Sequence, residues 1–137
     1  MSFMTRTKQR EHIFKLLFQI DFIGEKEMDN HLNNYLENLD KVSEKDKEAI
    51  RVRFLQVQPY ISEADKLLDN KVIGWKTKRM NKVDLSILRL AIYEMNYDQE
   101  IPTRVAISEA VELANRFSSK EGSSFVNGVL AKIVQDN

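Results

Sequence analysis

Apolar residues recur along most of this chain at intervals of three and four, the spacing that gathers them on one face of an α-helix. In residues 5–22 the stripe is Ile13, Leu16, Leu17 and Ile20, Thr5 stands where a side-chain cap belongs, and Gly24 ends the pattern. Met28, Leu32, Tyr35, Leu36 and Leu39 mark a second, weaker helix over 27–39. Ser43-Glu44-Lys45-Asp46 has the form of a capping box with a short acid in its last position, and it opens a third helix carried by Ile50, Phe54 and Val57. Pro59 breaks or kinks the chain, because a proline inside a helix removes a hydrogen bond and crowds the preceding turn. A fourth helix follows to about Lys71 through Ile61, Leu67 and Leu68, and Gly74 marks a loop. Asn81 caps a fifth, with Leu85, Leu88, Ile92 and Met95 as its stripe. Pro102 fits the first turn of a sixth, whose apolar positions are Ala106, Ala110, Val111, Leu113, Ala114 and Phe117. The last helix spans 121–135 and turns Val126, Val129, Leu130 and Ile133 inward.

Four glycines and two prolines leave little turn chemistry for a multi-stranded sheet. The expected fold is therefore all-α, a compact single domain of about seven helices in two packed sub-bundles, residues 1–73 and 74–137. A chain of 137 residues can close such a core without staples. Lys+Arg and Asp+Glu both number 21, so no global field draws the protein onto nucleic acid and any basic surface has to be local. Cysteine is absent, which excludes disulfides and thiolate metal sites and reads as a reducing cytoplasm. Charges interrupt the apolar run from Ile13 to Asp21, so it lacks the core of a signal peptide, and no stretch approaches the length of a membrane span.

Candidate chemistry is sparse. His12 and His31 belong to no metal-ligand spacing, and each reads as a surface imidazole. Asp84, Glu94, Glu109 and Glu112 read as caps and ion-pair partners for Arg89, Arg104 and Arg116, and Arg89, beside a core stripe, as half of a buried pair. No phosphate loop, nucleophile elbow or histidine–carboxylate pairing is present. The residues predict a protein that is not an enzyme and needs neither metal nor cofactor.

Binding has more to work with. Residues 5–10 hold three cations (Arg6, Lys8, Arg10) and no acid, and residues 70–83 hold five and no acid. Such clusters bind phosphates by releasing counterions, although a short cationic run is ordinarily a solvated face. At about 100° per residue, Phe18 and Phe22 point away from the Ile13–Leu16–Leu17–Ile20 stripe and lie beside Lys8, Glu11 and Lys15, with Phe14 between the faces. Burial all round is the reading for Phe14 and Phe22. For Phe18, burial and a stacking platform for an unpaired base stand side by side. Phe125 lies at the edge of the last helix's stripe, after a polar lead-in (118–124) whose N–H groups suit phosphate, and reads as a ligand contact. Asn127, on the opposite edge, reads as a structural hydrogen-bonding side chain.

Three blocks, in order, resemble signatures of the bacterial NusB family: Asp84-Leu85-Ser86-Ile87-Leu88-Arg89-Leu90-Ala91-Ile92-Tyr93-Glu94-Met95; Ile101-Pro102-Thr103-Arg104-Val105-Ala106-Ile107-Ser108-Glu109-Ala110-Val111-Glu112-Leu113-Ala114; and Phe125-Val126-Asn127-Gly128-Val129-Leu130. Arg10-Glu11 followed by Leu17-Phe18 fits the same family, so the resemblance covers essentially the whole chain. It implies an all-helical transcription antitermination factor. Such a protein pairs with NusE, a ribosomal small-subunit protein, grips single-stranded boxA RNA, and helps RNA polymerase read through terminators, chiefly in ribosomal RNA operons. The resemblance places the family's basic motif on Arg6, Lys8 and Arg10, its RNA-contacting aromatics on Phe18 and Phe125, an acidic position on Glu121, and a partner-facing acid on Asp84. Thr7 and Gln9 make the basic motif sparser than in arginine-rich members.

Two rivals differ in class. A similar fold is appended to some ribosomal RNA cytosine methyltransferases, but that reading needs a cofactor loop and reactive cysteines, which this sequence lacks. A homodimer that hides its RNA surface is the other, separable by concentration-dependent sedimentation.

Overall fold

The computed structural model describes residues 4–72 and 76–135. Seven α-helices lie within them: α1 (Arg6–Ile23), α2 (Glu25–Glu37), α3 (Glu44–Val57), α4 (Ile61–Lys71), α5 (Lys82–Tyr97), α6 (Thr103–Phe117) and α7 (Lys120–Gln135). No strand occurs among the described residues, which agrees with the all-α expectation. The loop expected at Gly74 lies outside them.

The predicted caps form. Thr5 Oγ1 accepts the backbone N–H of Lys8 at 3.1 Å, Ser43 Oγ that of Asp46 at 3.1 Å, and Asn81 Oδ1 those of Val83 and Asp84 at 2.8 and 3.4 Å. The acid of the expected capping box does something else: Asp46 accepts from the backbone N–H of Met4, tying α3 to the residues before α1. Gly24 ends α1 and starts α2 at φ 88°, a left-handed backbone that glycine alone adopts without strain. Pro59 sits in a 3₁₀ turn, Gln58–Tyr60, so the break falls where its ring demands one. Pro102 precedes α6 as its cap residue, one position earlier than expected.

The chain divides into two compact units, Met1–Pro59 and Tyr60–Asn137. The sequence pattern placed the boundary near Gly74. Periodicity marks which face of α4 is apolar, but not which neighbour that face meets. In the structure α4 packs on α5, and Arg89 of α5 grips Asp65 of α4 through Nε and Nη2, both at 2.8 Å. The expectation that Arg89 is structural holds, with Asp65 as its carboxylate.

In the first unit α1 packs against α2 and α3. Its core gathers Ile13, Leu16, Leu17, Met28, Leu32, Leu36, Ile50, Phe54 and Val57, all buried. In the second unit α5, α6 and α7 pack on one another. Every residue of α5 from Asp84 to Glu94 is buried, so this helix is covered all round rather than along one stripe. Val126, Val129, Leu130 and Ile133 of α7 turn inward as their spacing predicts. No helix among the described residues is long and apolar enough to cross a membrane.

Candidate nucleic-acid interface

The basic motif of α1 is smaller at the surface than in the sequence. Arg6 and Lys8 are exposed, whereas Arg10, which the resemblance places in the same basic motif, is 7% exposed. Arg10 lies three, four and seven residues before Ile13, Phe14 and Leu17, and so falls on the core stripe one turn early. Glu11, also buried, collects two lysines on one carboxylate oxygen, Lys8 Nζ at 3.1 Å and Lys15 Nζ at 2.9 Å. The i+3 and i+4 spacing of that clamp is legible in the sequence; its depth is not.

Beyond the clamp the same face of α1 carries Phe18 and Phe22. Phe22 is 66% exposed, which overturns the expectation that it is buried. Phe14, 4% exposed, is buried as expected. Phe18 is half-buried and leans on Phe22, ring centroids 5.0 Å apart at 54°. One phenyl is thus braced from below and a second stands in water, next to a turn bearing lysines. Unpaired bases stack on such rings because every base has a π-face.

His12 departs from its expected place at the surface, being 5% exposed. Its Nδ1 lies 2.7 Å from the Tyr35 hydroxyl, with the rings edge to face. Burial, then the charges of Lys15 and Lys8, hold the imidazole below its usual 6.5, against an opposing pull from Glu11. Burial, and after it the charge of Glu11, pushes the Tyr35 phenol up to about 12. The fold therefore favours neutral His12. Stability from this group is present above about pH 6.5 and declines as the pH falls towards the folded-state value. Wild-type melting temperature is expected to drop between pH 7 and 5.5, and the His12→Gln protein to show a shallower slope over the same range. His31 is half-buried against Gln19 Oε1.

In the second unit the start of α7 carries Glu121, exposed, and Phe125, half-buried. The expected polar lead-in is mostly helix already, since α7 begins at Lys120. Two N–H groups of its first turn are engaged: that of Gly122 by Ser119 Oγ at 2.9 Å, and that of Ser123 by the Ser119 carbonyl at 2.9 Å. Asn127 is exposed, and no hydrogen bond among the described residues holds its side chain, contrary to its structural reading.

Asp84, which the resemblance places as a partner-facing acid, is 7% exposed. Its Oδ1 accepts the Ser118 hydroxyl at 2.6 Å. A Cβ at Gly122 would stand 2.8 Å from that Oδ1 and 2.0 Å from Ser118 Oγ, so α7 approaches the bond as closely as glycine permits. Asp84, Ser118 and Gly122 together fix the corner from which Glu121 and Phe125 project. Gly122→Ala would have to expel the Ser118 hydroxyl from Asp84. The expected loss is about 1–2 kcal/mol, because stranding a buried carboxylate outweighs alanine's better helix propensity, and urea titration reads it. Neither Ser118 nor Gly122 could be singled out in the sequence, since the close approach needs three helices in place.

The second basic run is partly engaged from just outside. Asp69 accepts the Thr77 N–H at 2.8 Å on its carboxylate and Lys76 Nζ at 3.0 Å on its backbone carbonyl. Lys78 and Arg79 are exposed. Among the described residues, no cluster of three or more His, Asp or Glu side chains is placed to hold a metal ion.

Two helical units, each presenting a half-buried phenyl beside charged side chains, define a small all-helical binding protein. The chain belongs to the NusB family, which residues 7–135 match. It is similar to the transcription antitermination protein NusB of Lachnoclostridium phytofermentans, 41% identical over 131 residues that cover 96% of this chain and 99% of that one. The Agathobacter rectalis protein of the same name is 43% identical over 129 residues, 94% of this chain and 98% of its own. Among solved structures, T. maritima NusB aligns with a TM-score of 0.85 and 31% identity, covering 99% of this chain and 94% of that one. A crystal structure of antitermination factors NusB and NusE in complex with dsRNA shares the fold, with a TM-score of 0.76, 20% identity, and coverage of 98% and 100%.

Proposed function

We infer that this chain is a cytoplasmic transcription antitermination factor that binds boxA RNA together with NusE and helps RNA polymerase read through terminators in ribosomal RNA operons. Membership of the NusB family supports the reading at the level of process. The observation that carries the RNA part is the braced Phe18–Phe22 ring pair beyond the Lys8–Glu11–Lys15 clamp. Rings of this kind are of use to an unpaired strand and of none to a continuous duplex, whose bases are already stacked.

Each unit contributes its own contacts. On the first, Arg6 and Lys8 meet phosphates and Phe18 stacks a base, while Arg10 supports the helix from within. On the second, Phe125 stacks a base and Glu121 accepts from base-edge amino groups. NusE supplies the remaining affinity, since Lys8 already shares Glu11 and few cations are left for phosphate. Asp84 acts on either partner through the corner it holds.

The test is a titration of labelled boxA RNA with this protein, with and without NusE, at two salt concentrations and against duplex competitor. Expected are tighter binding with NusE, a shallow salt slope from the few phosphate contacts, and poor competition by duplex. Equal affinity with and without NusE, or full competition by duplex RNA, would contradict the reading.

A further inference from the structure

One cluster in the second unit has no part in the contacts assigned so far. Tyr60, Tyr93 and Tyr97 pack as a ladder of rings, with centroids 4.1 Å apart for Tyr60–Tyr97, 5.6 Å for Tyr60–Tyr93 and 5.7 Å for Tyr93–Tyr97. They line a half-open groove of about 200 Å³ floored by Ala64 and Ile92. Glu63 stands in its wall and accepts the Tyr97 hydroxyl on Oε2 at 2.5 Å. Tyr93 is nearly covered, whereas Tyr97 is 43% exposed although it is a large ring at the end of α5.

An exposed tyrosine ring at the end of the ladder and one carboxylate select strongly among occupants. The only formal charge among the described residues lining the groove is the negative charge of Glu63, so a phosphate backbone is repelled. A purely apolar side chain would cover the rings and leave the second oxygen of the carboxylate desolvated without a donor. A planar cation satisfies both at once, lying flat on a ring and donating to the oxygen of Glu63 that Tyr97 does not use. The Glu63 hydrogen bond, chiefly, pushes the Tyr97 phenol above its usual range, so the hydroxyl stays a donor to that oxygen.

We propose that the Tyr60–Tyr93–Tyr97 groove with Glu63 is a receptor for an arginine side chain of the protein partner. The identity of that partner as NusE rests on the function proposed above; the chemistry of the groove does not.

The experiment has two arms. In the first, Nα-acetyl-arginine methylamide is titrated into the full chain while the tyrosine ring resonances are followed by NMR. The rings of Tyr60, Tyr93 and Tyr97 are expected to shift, the norleucine analogue to bind about tenfold more weakly, and Glu63→Gln, which keeps an acceptor for Tyr97, to remove the difference. In the second, NusE affinity is measured by calorimetry and is expected to fall about tenfold in Tyr97→Ala and in Glu63→Gln, with RNA binding by the chain alone unchanged. Equal shifts with norleucine, shifts of the same rings by an RNA oligonucleotide instead of arginine, or wild-type NusE affinity in both variants would each overturn the proposal. If the wild-type chain fails to bind NusE, the functional reading fails and the arginine titration still decides the groove.

Discussion

Asp65→Ala is expected to destabilise the protein by about 3 kcal/mol, enough to lower its melting temperature by roughly 10 °C. Arg89 is 6% exposed and both of its bonds to Asp65 are 2.8 Å long, the fork-to-fork geometry in which a guanidinium is held most firmly. Removing the carboxylate leaves that charge inside the second unit without its bidentate partner. The figure sits at the low end for buried pairs because Asp65 keeps 26% of its side chain in water. Asp65→Asn, which retains one acceptor, should lose less. Pairing Asp65→Ala with Arg89→Met should recover part of the loss, since an uncharged side chain needs no carboxylate. Circular dichroism melts of the four proteins decide it, and an unshifted Asp65→Ala midpoint would mean that the ion pair does not hold α4 on α5.

The second large effect is on binding. Phe125→Ala is expected to weaken boxA RNA binding by the NusE complex roughly 5- to 150-fold, the worth of one base stacked on one ring. Phe18→Ala should act over the same range. Both rings are half-buried, so part of each is packing, and far-ultraviolet dichroism must show unchanged helicity for the loss to count as a lost contact. Phe22→Ala separates the two roles on α1. Its ring is mostly in water, so little stability is at stake, and any fall in affinity reports either a second stacked base or the bracing of Phe18. Full RNA affinity in Phe125→Ala with intact helicity would remove that residue from the interface.

How much of this was legible in the sequence follows from the physics of each signal. Helix positions and caps were, because Thr5, Ser43 and Asn81 act on N–H groups two or three residues away and Pro59 acts on its own turn. Inward faces were legible where a stripe is narrow, as on α7, and failed where a helix is covered on several sides. Glu11 and His12 of α1 lie off its apolar stripe, where spacing gave no reason to bury them, and Arg10 lies on the stripe but carries a charge. The division at Pro59 was hidden for a related reason: the partner of Arg89 is 24 residues away on another helix. The bond that buries Asp84 was not legible, because the Ser118 hydroxyl reaches it only after α6 folds back. The candidate aromatics were found by helical geometry and by family resemblance alike, whereas the exposure of Phe22 and the tyrosine ladder required coordinates.

The most direct measurement is photocrosslinking of 4-thiouridine-substituted boxA RNA to the chain in complex with NusE, with adducts located by mass spectrometry. Adducts within residues 6–22 of α1 and 121–125 of α7 are expected, because those segments carry the rings and cations assigned to the strand. Adducts confined to the other basic run, residues 76–83, would contradict the account.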